Sequence, residues 1–192
     1  MTNRQPLSEE MSSTMDWDWE ADDEEINTAY HEAGHAIVGC ALGARIERVS
    51  LSQASAFDDL DDGLPQRFGD CMVNWGRVDP GQAWQQEREL LTVLAGPIAE
   101  MTYRDEDAEE IDEACWAMDW EQAKQCAAMI HRDPRKQLKS LNQAVQRLKK
   151  VVANPPCWPA IAALADELML GDEIGGDRVA ELVRFWFNQS LG

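Results

Sequence analysis

The apolar residues of this chain recur mostly at the three- and four-residue spacing of helices. From residue 80 almost to the end, this pattern predicts a series of helices, of which the first two cover 82–103 and 117–130. Asp133-Pro134 is a helix-start signal, and two further helices follow a proline-rich break. The apolar positions behind these predictions are Leu90, Leu91, Leu94, Ile98, Met101, Leu138, Leu141, Val145, Leu148, Val152, Ile161, Leu164, Leu168, Val179, Leu182, Val183 and Trp186.

An earlier helix is predicted over 25–42. Asp22 or Asp23 is placed to cap its start, and Gly43 is placed to end it. Residues 1–24 before it are polar and acidic, and they offer too little apolar area to offset the entropy cost of ordering them. We therefore expect an acidic, disordered tail. The sequence MDWDWEADDEE at residues 15–25 has an alternative interpretation as a short acidic-aromatic docking motif.

Two short segments between the helices have the alternating pattern of strands. The segment 45–51 alternates apolar and polar residues, and 71–75 can form a second strand after a loop over 54–70 that contains Asp-Asp-Gly. The sequence thus predicts a mainly α fold with a small β hairpin or sheet edge. Residues 25–192 are expected to form one domain.

The composition fits a globular protein and argues against two classes of partner. The chain has 192 residues, of which 44% are hydrophobic, and this suits a single domain with its own core. Its formal charge of −19 disfavours a protein that grips nucleic acid or anionic lipid, because both require positive surface. The acidity either keeps the protein soluble or marks a basic partner. An acidic decoy that imitates nucleic acid is a weaker alternative.

The cysteines and the absence of apolar runs favour a cytoplasmic protein. The five cysteines form no CxxC pairs and no zinc-ribbon spacing, so we expect reduced thiols rather than a disulfide framework. No signal peptide is visible at the start of the sequence. No stretch approaches the roughly 20 apolar residues of a membrane-spanning helix, so we expect no membrane partner.

The predicted first helix carries an HExxH motif. His31 and His35 are four residues apart, so both imidazoles project from one face and can bind one metal ion. Glu32 points about 100° around the helix axis, towards a metal-bound water that it can deprotonate. Two of the three histidines of the chain lie in this motif. The competing interpretation is a solvated or hydrogen-bonded histidine pair.

A catalytic zinc site needs a third protein ligand, and the residues alone leave its identity open. The chain lacks the HxxGxxH continuation that would supply one nearby. Asp119 shares the apolar stripe of its predicted helix and should face inward, where a buried carboxylate needs a cation. The alternative is an aspartate that is placed in the first turn only because the helix dipole stabilises it. Glu100 on another apolar helix is the rival ligand. His131 is more easily explained as a helix-end residue.

The motif and three later segments resemble the peptidase domain of FtsH-type zinc proteases. Residues 29–36 read AYHEAGHA, as does the active-site helix of that family. The segment 45–51 is similar to the family's strand after that helix, and LAGPIAE at 94–100 is similar to its LGGRAAE segment. MDWEQAK at 118–124 resembles its N-D-L-x-x-A-T stretch. The likeness covers roughly residues 26–183, with the segments in the same order.

The resemblance implies roles for five residues. His31, His35 and Asp119 would be the zinc ligands, Glu32 the general base, and Glu100 a residue that braces a ligand histidine. The resemblance also implies an FtsH-peptidase-like helical domain, and it is compatible with a homo-oligomeric ring.

Three departures from the family limit what else the resemblance implies. Pro97 replaces an arginine, and EACWA at 113–117 replaces a threonine-glycine-alanine lead-in. No GxxxxGK[ST] loop occurs, so the ATPase module of that family is missing from this sequence. Processive degradation of folded proteins is therefore not expected of this chain alone.

The sequence thus favours a soluble, stand-alone zinc metalloendopeptidase that cleaves peptides or flexible protein segments. A separate ATPase could feed it with substrates. An edge strand around Val49 could pair with an extended substrate. The alternative is a non-catalytic, zinc-containing FtsH-like binding or regulatory module whose acidic tail docks a basic partner.

Overall fold

The fold is described from a computed structural model. The structure describes residues 16–51, 69–77, 82–105, 116–171 and 173–189. The predicted loop over 54–70 lies largely outside these ranges, and residues 106–115 lie outside them too. No helix in the described ranges combines the length and the apolar character that crossing a bilayer demands.

The described residues form a mainly α fold with one small antiparallel sheet, and this confirms the predicted fold class. The elements in chain order are α1 (Asp16–Ala41), β1 (Arg45–Leu51), β2 (Gly69–Asn74), α2 (Ala83–Arg104), α3 (Ala117–Ile130), α4 (Pro134–Val152), α5 (Cys157–Gly171), β3 (Glu173–Gly175) and α6 (Gly176–Gln189). Asp133 caps α4 by accepting a hydrogen bond from the Arg135 N–H, as the Asp-Pro signal predicts.

The sheet has the order β2-β1-β3 and corrects one expectation about its edge. Val49 in β1 pairs with Cys71 of β2 on one side and with Ile174 of β3 on the other. The expectation of an edge strand around Val49 was wrong, because β3 had not been predicted and covers that side of β1. In the described part of the chain, β2 is the long strand at an edge of the sheet.

Helix α1 begins earlier than predicted and ends where predicted. Its backbone is helical from Asp16, so Asp22 and Asp23 lie within the helix rather than at its start. Glutamate and alanine are good helix formers, and acidic residues are favourable near a helix N-terminus, which explains the longer helix. Gly43 takes a positive φ of 91° just after the helix, as a C-terminal glycine does. The remainder of the expected tail, residues 1–15, lies outside the described residues.

Helices α1 and α2 pack closely because small residues face each other. A Cβ on Gly34 would lie 2.5 Å from the Ala95 carbonyl oxygen and 2.7 Å from the Ala99 Cβ. Ala33 and Ile37 are fully buried on α1. This close approach directs the HExxH face of α1 towards the middle of α2.

Candidate metal site

The two histidines of the motif face each other at the α1–α2 interface. Their Nε2 atoms are 3.0 Å apart, and the rings meet edge to face with centroids 4.7 Å apart. His31 is only 3% exposed, and His35 is slightly more open. The i and i+4 spacing on a continuous helix produces this pairing.

Helix α2 orients both imidazoles through their other nitrogen. His31 Nδ1 lies 3.0 Å from Glu100 Oε2, and His35 Nδ1 lies 2.8 Å from the Thr92 carbonyl oxygen. A carbonyl oxygen only accepts hydrogen bonds, so His35 donates from Nδ1. A carboxylate favours the same tautomer of His31. In these neutral tautomers, both Nε2 atoms present lone pairs to the space between the rings.

Asp119 on α3 reaches the same space. One carboxylate oxygen lies 3.1 Å from His31 Nε2, and the other lies 3.5 Å from His35 Nε2. Ligand atoms of these three residues all lie within 4.8 Å of one another. The Asp119 side chain is 20% exposed, so solvent reaches the site from the α3 side.

The donor set fits a divalent metal ion. Two imidazole lone pairs and a carboxylate are all acceptors, so a cation must lie among them, either a proton on a ring or a metal ion. Two nitrogens and one oxygen are a ligand set of catalytic zinc sites, which keep a fourth position open. The oxygen partners of both Nδ1 atoms, on Glu100 and Thr92, match the usual surroundings of metal-bound histidines.

Glu32 lies next to strand β2 rather than within the group of ligand atoms. Its side chain is buried, and a Cβ on Gly69 would lie 2.5 Å from both its Cγ and its Oε1. Gly69 therefore leaves the space that the carboxyl group occupies. This contact places a buried carboxylate, one residue after His31 on α1, against strand β2.

The structure adds a second glycine that the sequence analysis missed. A Cβ on Gly96 would overlap Nε2 of His35 and lie 2.5 Å from its Cε1. The imidazole thus rests on the backbone of α2, where only glycine fits. The motif LAGPIAE contains this glycine, but its purpose is visible only when α1 and α2 are packed together.

The other two candidate residues, Glu100 and His131, lie outside the cluster of His31, His35 and Asp119. Glu100 is 3% exposed, and its Oε2 accepts a hydrogen bond from Trp116 Nε1 at 2.8 Å in addition to its contact with His31. The structure therefore places Glu100 behind His31 and not in the cluster of His31, His35 and Asp119. His131 is the residue that ends α3, where its backbone N–H bonds to the Ala127 carbonyl oxygen.

Cys71 lies on β2 near Glu32, and its thiol has a raised pKa. Burial raises its pKa well above the ordinary value, and the negative charges of Glu32 and Asp70 raise it further. Burial also raises the pKa of Cys40, but Arg184 opposes that shift. Because the thiolate is the reactive form, we expect iodoacetamide at pH 8 to alkylate Cys40 before Cys71. Peptide mass spectrometry over time checks this order, and faster labelling of Cys71 would contradict it.

No protein-family model matches this chain, and no curated protein matches it. The resemblance to FtsH-type peptidases therefore stays a prediction from the sequence motifs.

Proposed function

We propose that this protein is a zinc-dependent peptidase in which His31, His35 and Asp119 hold the metal and Glu32 is the general base. The observation that carries the proposal is the convergence of three ligand groups from two helices on one space. The buried carboxylate of Glu32 beside that space supports catalysis, because a purely structural metal site does not require it.

The roles of the residues follow from their positions. When bound, zinc is a Lewis acid that makes a water more acidic and polarises the carbonyl group of the substrate. Glu32 accepts the proton of the attacking water and then donates it to the departing amine, so one carboxyl group serves as base and then as acid. Glu100 and Thr92 hold the two imidazoles in orientation.

The substrate in this proposal is an extended peptide that pairs with β2. Edge strands bind extended chains through backbone hydrogen bonds. Gly69, in contact with Glu32, lies at the first position of β2, so a paired peptide passes beside the general base. Only peptides and flexible protein segments reach such an edge unaided. A folded substrate requires a separate ATPase to unfold it.

The proposed setting is a reducing compartment, the cytoplasm. Cys40, Cys71, Cys126 and Cys157 are all free thiols in the described part of the chain. Free thiols persist where the glutathione pool keeps them reduced.

The test is metal content combined with cleavage of an unstructured polypeptide. The purified protein is expected to contain about one zinc per chain and to cleave a quenched-fluorescent unstructured substrate. A chelator should abolish cleavage, and stoichiometric zinc should restore it. Adding iron(II) or manganese(II) in parallel identifies the metal, since these ions also use two histidines and a carboxylate.

Two results would count against the proposal. A protein that binds no divalent metal after reconstitution would remove the metal site altogether. A protein that binds zinc tightly but cleaves no peptide of a diverse library would instead favour the non-catalytic binding module.

A further inference from the structure

Trp116 connects the helix that carries Asp119 to the residue behind His31. It is the residue immediately before α3, and it is 5% exposed. Its indole N–H donates to Glu100 Oε2 at 2.8 Å, and its backbone carbonyl oxygen accepts from the Trp120 N–H at 2.9 Å. One residue is therefore bonded both to α2 and to the first turn of α3.

One carboxylate oxygen of Glu100, Oε2, contacts both the Trp116 indole N–H and His31 Nδ1. Its Oε2 lies 3.0 Å from His31 Nδ1, while Arg104 approaches its other oxygen at 3.4 Å. A buried carboxylate is costly unless donors surround it, and the indole N–H is one of these donors. Without the indole N–H, Glu100 is held less firmly behind His31.

We propose that Trp116 is a positioning residue of the metal site, acting on two of the three ligands at once. Through Glu100 it fixes the orientation of His31, and through the start of α3 it fixes the distance from Asp119 to the histidine pair. This inference rests on the metal site of the proposed function. It does not depend on catalysis.

The geometry makes this role specific to the indole N–H. His31 contacts Glu100, Glu100 accepts a hydrogen bond from Trp116, and Trp116 leads along the first turn of α3 to Asp119. The Asp119 carboxylate faces His31 Nε2 across the proposed metal position. The shape of the side chain alone does not hold Glu100, because phenylalanine fills much of the same space but has no N–H to donate. A core-packing role for Trp116 would instead require only the ring.

The experiment compares zinc affinity in Trp116→Phe and in a matched control, Trp84→Phe. Trp84 lies half-exposed in the first turn of α2, and its indole N–H bonds to Gln82 rather than to Glu100. Affinity is measured by competition with a chelator, and thermal unfolding of the metal-free proteins is measured alongside. Trp116→Phe is expected to weaken zinc binding by about 10- to 100-fold, the usual loss for residues that orient metal ligands. Trp84→Phe should bind zinc as wild type does.

A measurement on the unmodified protein keeps the inference testable if Trp116→Phe does not fold. Coupling is reciprocal, so zinc must strengthen the Trp116–Glu100 bond if that bond favours zinc. The exchange of the assigned Trp116 indole N–H with deuterium, followed by NMR, should slow at least several-fold on zinc loading. The Trp84 indole N–H should show no comparable change.

The outcomes separate this inference from the proposed function. Equal zinc affinity in both variants, or an indole exchange rate that zinc leaves unchanged, overturns the role of Trp116. Loss of stability in metal-free Trp116→Phe with unchanged zinc affinity also overturns it, because that is the result of core packing alone. Zinc binding that depends on Trp116 in a protein without peptidase activity would support the inference and overturn the proposed function. A wild-type protein that binds no metal would overturn both.

Discussion

Glu32→Gln is expected to lose peptide cleavage by about 10²- to 10⁴-fold, the usual contribution of a general base, while still binding about one zinc per chain. The amide has nearly the shape of the carboxylate and keeps the packing against Gly69. It cannot accept the proton of the attacking water. Because Glu32 is not one of the three clustered ligand residues, zinc affinity should change little.

The measurement pairs cleavage rates with zinc content in Glu32→Gln and in a control, Glu25→Gln. Glu25 is an exposed residue of the same helix, so its replacement removes the same charge without touching the site. The control should cleave at the wild-type rate. Retained cleavage in Glu32→Gln would refute the general-base role. Loss of zinc together with cleavage would mean that Glu32 contributes to metal binding.

Most helices of this fold were predictable because their signals are local. The Asp133-Pro134 start, the Gly43 end and the apolar stripe of α2 each depend on residues within a few positions of one another. The strand β1 was found for the same reason. Such patterns can be recognised in a short stretch of sequence without knowing how the chain folds.

The sheet was only partly predictable because pairing is not local. The strand β3 spans Glu173–Gly175, which is too short to show an alternating pattern. It lies between α5 and α6, and it pairs with β1, which is far away in the sequence. Because β3 was not predicted, β1 was expected to be an edge strand around Val49.

Some residues of the candidate site were also predictable from local signals, and others were not. The spacing of His31 and His35 on one helix is a local signal, and the structure pairs them as the spacing suggests. Asp119 was singled out by an apolar stripe and by family resemblance, since no spacing rule links it to His31. Gly69 and Gly96 give no sequence signal of their own, because each matters only through a side chain from another element.

Gly96→Ala is expected to weaken zinc binding by more than about 100-fold, beyond the usual loss for a residue that only orients a ligand. The new methyl group would occupy the position of the His35 ring, so either the imidazole turns away or α1 separates from α2. Turning the ring removes one of three ligands. Separating the helices also pulls His31 from Glu100, so both responses damage the site.

The stability of the metal-free protein should fall far less than zinc affinity does. Overpacking costs about 1–3 kcal/mol, while replacing glycine within a helix returns about 0.5–1 kcal/mol. Gly171→Ala is the matched control, because a Cβ on Gly171, at the end of α5, meets no atom within 4 Å. Chelator competition and thermal unfolding on both variants separate the two effects. Wild-type zinc affinity in Gly96→Ala would show that His35 does not ligate from the position it occupies, and the three-residue site would then have to be abandoned.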